Sequence, residues 1–164
     1  MSFPSRKVVV GIGEILAGDH GLGKHALRIL KMQSDHSTEI EYIEAGTAGF
    51  DLEEIIRESS HLLVLDAADA NRTPGAIIEF SCDNIHLFEG LRLMAHQSEF
   101  HHVLMLACKT GILPRRLNFV GMQPNGLAIG LDLSPAVEAA MPEMVRRATT
   151  VLQSWKEELV YEDE

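Results

Sequence analysis

Cysteine is scarce in this chain, two in 164 residues. Cys82 and Cys108 stand apart with no Cys-x-x-Cys pairing, which excludes a zinc knuckle and a disulfide framework. Positive charge is also short: 14 Lys and Arg against 24 Asp and Glu leave a formal net charge of -10. Nucleic acid and anionic membranes both need a basic patch, so neither is expected as a partner. No apolar run approaches the roughly 20 residues that span a bilayer, and no charged-then-apolar leader with a cleavage site is recognisable. Internal repeats, low-complexity stretches and linkers are missing as well. With 46% hydrophobic and 23% charged residues, the composition is that of an ordinary globular protein. The expectation is one cytoplasmic domain over residues 1–164, long enough to bury a proper core. Its acidic end, 157–164, is expected to be a solvated, disordered tail.

What the chain has in abundance, near its start, is glycine. A β-branched run, Val8-Val-Val10, enters a loop carrying Gly11, Gly13, Gly18, Gly21 and Gly23, with Asp19 and His20 side by side within it. Glycine lets a backbone turn sharply and approach a ligand closely, and strand-to-loop-to-helix is where open α/β sheets place their sites. Three readings compete. A dinucleotide fingerprint needs Gly-x-Gly-x-x-Gly, but the third position here is Leu16. A phosphate-binding P-loop fits Gly18 to Lys24 until His25, where a hydroxyl is required, and Gly18 lies well beyond the strand. The third reading makes the loop a scaffold that offers Asp19 and His20 to a metal or a reacting group.

Periodicity supplies the frame. Residues 7–12 read as a continuous apolar strand of the kind buried on both faces of a parallel sheet. Strands are also expected at 39–44, at 61–66 (ending on Asp66), at 75–80 and at 117–121. Apolar spacing predicts a helix over 21–32, and Asp51 is placed to cap another through residue 58. The run 100–108 fits strand or helix; the Lys109-Thr-Gly111 stop signal favours helix. Ser134 as N-cap with Pro135 at the first position begins a C-terminal helix, whose Val137, Met141, Met144, Ala148, Val151 and Trp155 form one stripe. Pro142 would kink that helix or start a new one. Strands alternating with helices predict an α/β sandwich around a mostly parallel sheet.

In such a sheet Asp66 and the pair Asp19-His20 share the carboxyl edge where a crevice forms. His96, in Leu93-Met-Ala-His-Gln97, joins them as a candidate. One carboxylate and two imidazoles suit a borderline divalent ion such as nickel or zinc. Each also has a plainer role, Asp66 as a turn or cap residue and His96 as a surface or capping residue.

At this point the chain resembles the hydrogenase maturation proteases, over roughly residues 7 to 155. The opening Gly11-Ile-Gly-Glu-Ile-Leu-Ala-Gly-Asp-His-Gly-Leu-Gly23 is similar to that family's Gly-x-Gly-Asn-x-Leu-x-x-Asp-Asp/Glu-Gly-x-Gly. Gly46-Thr-Ala-Gly49, Leu65-Asp-Ala67, His96-Gln97, Phe119-Val-Gly-Met-Gln-Pro124 and Gly130-Leu-Asp-Leu-Ser-Pro-Ala-Val-Glu138 follow in order. The resemblance implies a three-layer sandwich, a five-stranded mostly parallel twisted sheet with helices on both faces, and a helix at 100–108. It implies that His20, Asp66 and His96 engage a metal, with Asp66 and His20 catalytic. The implied reaction removes the C-terminal tail of a [NiFe]-hydrogenase large-subunit precursor, and the nickel belongs to that precursor rather than to a tightly bound site of the protease. The precursor is the expected partner, and the protease is expected to be a monomer.

The chain departs from the family pattern at informative places. His20 replaces the usual loop carboxylate; an imidazole still binds nickel but is a different base. Glu14 stands where Asn is usual and is a source of compensating negative charge. Met94 takes the place of a small hydroxyl residue, and Glu99, His101 and His102 lie one turn beyond His96. The alternative function is a non-catalytic assembly factor that senses nickel in the same precursor. A nucleotide-binding switch through Gly18 to Lys24 is the third.

Overall fold

The computed structural model describes residues 4–36, 39–46, 49–81, 103–104, 106–107, 109–126 and 129–162, without the side chains of 49–51 and 159–162. Its elements follow the expected order with small shifts at their ends. Strand β1 (Arg6–Ile12) leads through a 3-10 turn (Gly18–Gly21) into helix α1 (Leu22–Gln33). Then come β2 (Ile40–Ala45), α2 (Gly49–Glu58), β3 (Ser59–Ala67), β4 (Ile77–Ser81), β5 (Arg116–Met122) and the long α3 (Pro135–Glu162). The described residues within 103–110 are helical, as their stop signal indicates. Cys82, His96, Glu99, His101, His102 and Cys108 lie outside the described residues.

The five strands form one sheet in the order β2-β1-β3-β5-β4. β1 pairs in parallel with β2 and β3, and β3 with β5, while β4 runs antiparallel along β5. The β-branched and leucine runs explain the middle of it. In β3 every residue from His61 to Ala67 is buried, and the side chains alternate between two layers, as strand geometry requires. Leu62 and Val64 join Val8, Val10, Leu52, Ile56 and Leu104 on one face. Leu63 and Leu65 join Val9, Leu27, Leu30, Met144 and Trp155 on the other. Helix α2 and the 103–110 segment therefore cover one face, and α1 with α3 the other.

Three expectations need adjustment. Helix α2 begins at Gly49, so Asp51 lies in its first turn rather than at its cap. Pro142 begins no new helix: α3 runs through it unbroken. Burial of Val137 and Met141 before it, and of Met144, Val145, Ala148 and Trp155 after it, in one core layer holds both halves together. The acidic end is not a disordered tail as far as it is described, because α3 extends to Glu162. Glu158, within that stretch, pairs with Arg116 at 2.6 Å. No helix among the described residues is long and apolar enough to cross a membrane.

Candidate active site

Chain order puts the site between β1 and β3. From β1 the chain moves to β2 on one side and returns to β3 on the other, and at such a reversal the strand ends splay into a crevice. The glycine loop leaves β1 there, and Asp66 stands at the same end of β3.

Two glycines close the distance. Gly13 has φ +134, and a Cβ on it would lie 2.0 Å from the carbonyl oxygen of His20, so only glycine admits this fold of the loop. Gly23, in the first turn of α1, lies against the end of β3. A Cβ there would come within 2.3 Å of the Leu65 carbonyl oxygen and 2.9 Å of the Asp66 Cα. Two residues separate it from His20. Backbone packing thus sets the His20 turn and the Asp66 strand end against each other.

Both side chains are nearly excluded from water, His20 at 4% exposure and Asp66 at 1%. Burial holds the His20 imidazole below its ordinary pKa, and the neighbouring Asp19 charge opposes that only in part. A neutral ring with a lone pair results at neutral pH, the form that ligates metals. Asp66 Oδ1 accepts the Ala67 N–H at 2.7 Å, which orients its carboxyl at the sheet edge.

Asp19, also 4% exposed, is the fastener of the loop. Its Oδ1 accepts the Ser134 N–H at 2.7 Å, and its Oδ2 accepts the Asn125 N–H at 2.9 Å and the Ser134 hydroxyl at 2.7 Å. The expected role, a turn aspartate bonding backbone amides, is the observed one, but the amides belong to a distant loop. Ser134, the expected helix cap, accepts the Glu138 N–H on its carbonyl at 2.9 Å while its hydroxyl serves Asp19. Two backbone bonds reinforce the join, Gly18 N–H to the Gly130 carbonyl and Gly130 N–H to the Leu16 carbonyl, both 2.8 Å.

These bonds also weaken the nucleotide reading. A P-loop turns its backbone N–H groups toward phosphate, whereas Gly18 N–H is engaged by Gly130 and His20 N–H by the Ala17 carbonyl at 3.2 Å. Glu14 is exposed, and its carboxylate accepts the N–H of Leu16 at 3.2 Å. The loop following Asp66 has its own brace, which the sequence reading missed. Gln123 Oε1 accepts from Ala70 N–H at 2.8 Å and Arg72 N–H at 3.2 Å, and its amide donates to Asp69 at 3.1 Å. A buried amide just past an apolar strand was the available signal.

Among the described residues no three His, Cys, Asp or Glu side chains converge as a metal site; His96, the third expected ligand, lies outside them. A groove of about 790 Å³ between α1 and α3, lined by His25, Ile29, Met141 and Val145, includes neither His20 nor Asp66.

Comparison with known proteins identifies the family and the fold. The family model described as hydrogenase maturation protease matches residues 25–151. The hydrogenase expression/formation protein HupD of Rhizobium leguminosarum bv. viciae is 34% identical over 152 residues, covering 92% of this chain and 75% of its own. The hydrogenase 2 maturation protease of Escherichia coli is 26% identical over 149 residues, covering 90% and 91%. Among solved structures, the hydrogenase maturating endopeptidase HybD from E. coli superposes with a TM-score of 0.79 at 26% identity, covering 91% of this chain and 93% of that one.

Proposed function

Because the chain belongs to the hydrogenase maturation protease family, we propose that it is a nickel-dependent endopeptidase that removes the C-terminal tail of a [NiFe]-hydrogenase large-subunit precursor. The observation that carries this reading is the buried His20 and Asp66 on one sheet edge, His20 on a loop clamped by Asp19 and Asp66 at the end of β3.

The nickel is part of the substrate, seated in the precursor before cleavage. The neutral imidazole of His20 supplies a nitrogen donor to it, and Asp66 supplies a carboxylate oxygen, a donor set suited to a borderline divalent ion. His96 is the proposed third donor. A metal held at a scissile peptide polarises its carbonyl and lowers the pKa of bound water. Asp66 is the residue proposed to orient that water and receive its proton, since His20 takes the place of the family's loop carboxylate. No tightly bound metal of the protease itself is required.

The replacement at His20 motivates a second reading, in which the protein recognises nickel in the precursor without cutting. Intact mass of the cognate precursor, co-expressed under nickel supply, separates the two. We expect nickel-dependent loss of a C-terminal peptide, and with Asp66→Ala a fall in rate of about a hundredfold or more, the scale of a lost general base. A stable complex with unchanged precursor mass supports the assembly factor. Normal processing by Asp66→Ala removes Asp66 from the mechanism.

A further inference from the structure

Six large apolar side chains are exposed among the described residues, and three of them gather beside the site: Leu16 at 63%, Ile129 at 100% and Leu131 at 60%. Sequence distance hides this grouping. Ala17 and Gly130 form an isolated parallel bridge, so Leu16 and Ile129, each one residue before the paired position, are neighbours across the join. Leu131 follows on the same stretch. Leu16 lies four residues before His20, on the loop that leaves β1.

We propose that Leu16, Ile129 and Leu131 form a docking rim for an aliphatic stretch of the precursor's own chain, adjoining the bond to be cut. The assignment rests on the precursor-processing reading above and identifies the surface by which that substrate is held. Contiguity with the His20 turn is the first support: Leu16 and Gly18, both bonded to Gly130, lead directly into the turn that carries His20. Rigidity is the second. Both stretches are fixed before binding by the Gly18–Gly130–Leu16 backbone bonds and by the three bonds to Asp19, so docking does not have to order them. Charge is the third. Glu14 and Asp132, both exposed, flank the rim on a chain of net charge -10, which disfavours a second copy of the same chain and an anionic lipid surface. Exposed aliphatic groups next to a reaction centre otherwise carry only an aggregation liability.

The test is the double variant Ile129→Ser, Leu131→Ser, which alters only exposed loop positions, with Met32→Ser, an exposed residue of α1 away from the rim, as control. Cleavage of the nickel-loaded cognate precursor is followed by intact mass at several precursor concentrations. Binding is read in parallel on the cleavage-silent Asp66→Ala background. We expect KM and the dissociation constant of the double variant to rise about tenfold or more, the effect of losing a central apolar contact, with an unchanged melting temperature and no effect of Met32→Ser. Unchanged KM and binding in the double variant overturn the rim while leaving the protease reading standing. So does a wild-type dimer that the double variant dissolves, which would make the patch a self-interface. If the wild type neither binds nor trims the precursor, both the rim and the protease reading fall.

Discussion

Asp19 satisfies two backbone N–H groups and one hydroxyl from a loop more than a hundred residues away. Removing it leaves the two donors of half-buried Ser134 without their acceptor, while the N–H of exposed Asn125 can turn to water, and each unsatisfied buried donor costs about 1–3 kcal/mol. Asp19→Ala is therefore expected to lower the stability read from a urea midpoint by at least that much. Asp19→Asn, with one acceptor oxygen instead of two, should fall between it and the wild type. An unchanged midpoint in Asp19→Ala would show that the clamp is not structural. Gly23 gives a prediction of unusual sign. In an open helix, Gly→Ala stabilises by up to about 1 kcal/mol. Here the new Cβ would meet the Leu65 carbonyl oxygen at 2.3 Å and the Ile12 carbonyl oxygen at 2.5 Å, rigid backbone that cannot step aside. Gly23→Ala is expected to destabilise by about 1–3 kcal/mol and to shift the Asp66 strand end, so processing falls too. A raised melting temperature would disprove the close packing.

At the scale of elements, α3 meets β3 at the sheet end opposite the site. The His61 ring stacks edge-on against Trp155 at 5.3 Å, its Nδ1 meets the Ser60 hydroxyl at 2.9 Å, and its Nε2 lies 3.6 Å from Glu158. Burial holds its pKa below the ordinary value, with Lys7 adding to that and Glu158 opposing it. A group with a depressed folded-state pKa binds its proton more readily when unfolded. The stability it contributes is thus complete above about pH 6.5 and is lost as the pH falls below that. His20 and His25 are shifted downward by burial as well and act in the same direction. Melting temperature is expected to drop between pH 7 and pH 5, and less steeply in His61→Gln; equal slopes would clear His61 of any part. The elements themselves were readable because their signals are local. The leucine run of β3 and the stripe of α3 each declare themselves within about ten residues. What was not readable depends on contacts between distant segments. Nothing near Ser134 says that its hydroxyl goes to Asp19, nothing near Glu158 says that Arg116 and His61 hold the acidic end in place, and the continuity of α3 through Pro142 follows from the core beneath it. That the glycine loop and Asp66 meet at one edge was legible for the opposite reason, since strand ends in a parallel sheet share an edge whatever the details.

For the whole molecule, the alternation in β3 makes one strand the wall between two cores. Leu62 faces one layer and Leu63 the other, both fully buried. Leu62→Ala and Leu63→Ala should each cost about 2–5 kcal/mol, and each should lower the same single transition, because neither layer persists without β3. The one tryptophan, Trp155, reports only the α1–α3 layer, so its fluorescence against far-ultraviolet dichroism checks this. Separate midpoints for the two probes would mean that the layers unfold independently. The Asp19 clamp carries a further consequence, for the timing of synthesis. Its partner Ser134 lies 115 positions downstream. At about 5–20 residues per second, a ribosome takes on the order of ten seconds to deliver Ser134 after Asp19. Until then the loop that bears His20 has nothing to fasten to. A nascent or prematurely terminated chain therefore carries the His20 loop and Asp66 without the latch that fixes them, and this edge of the sheet is set only when translation is nearly done.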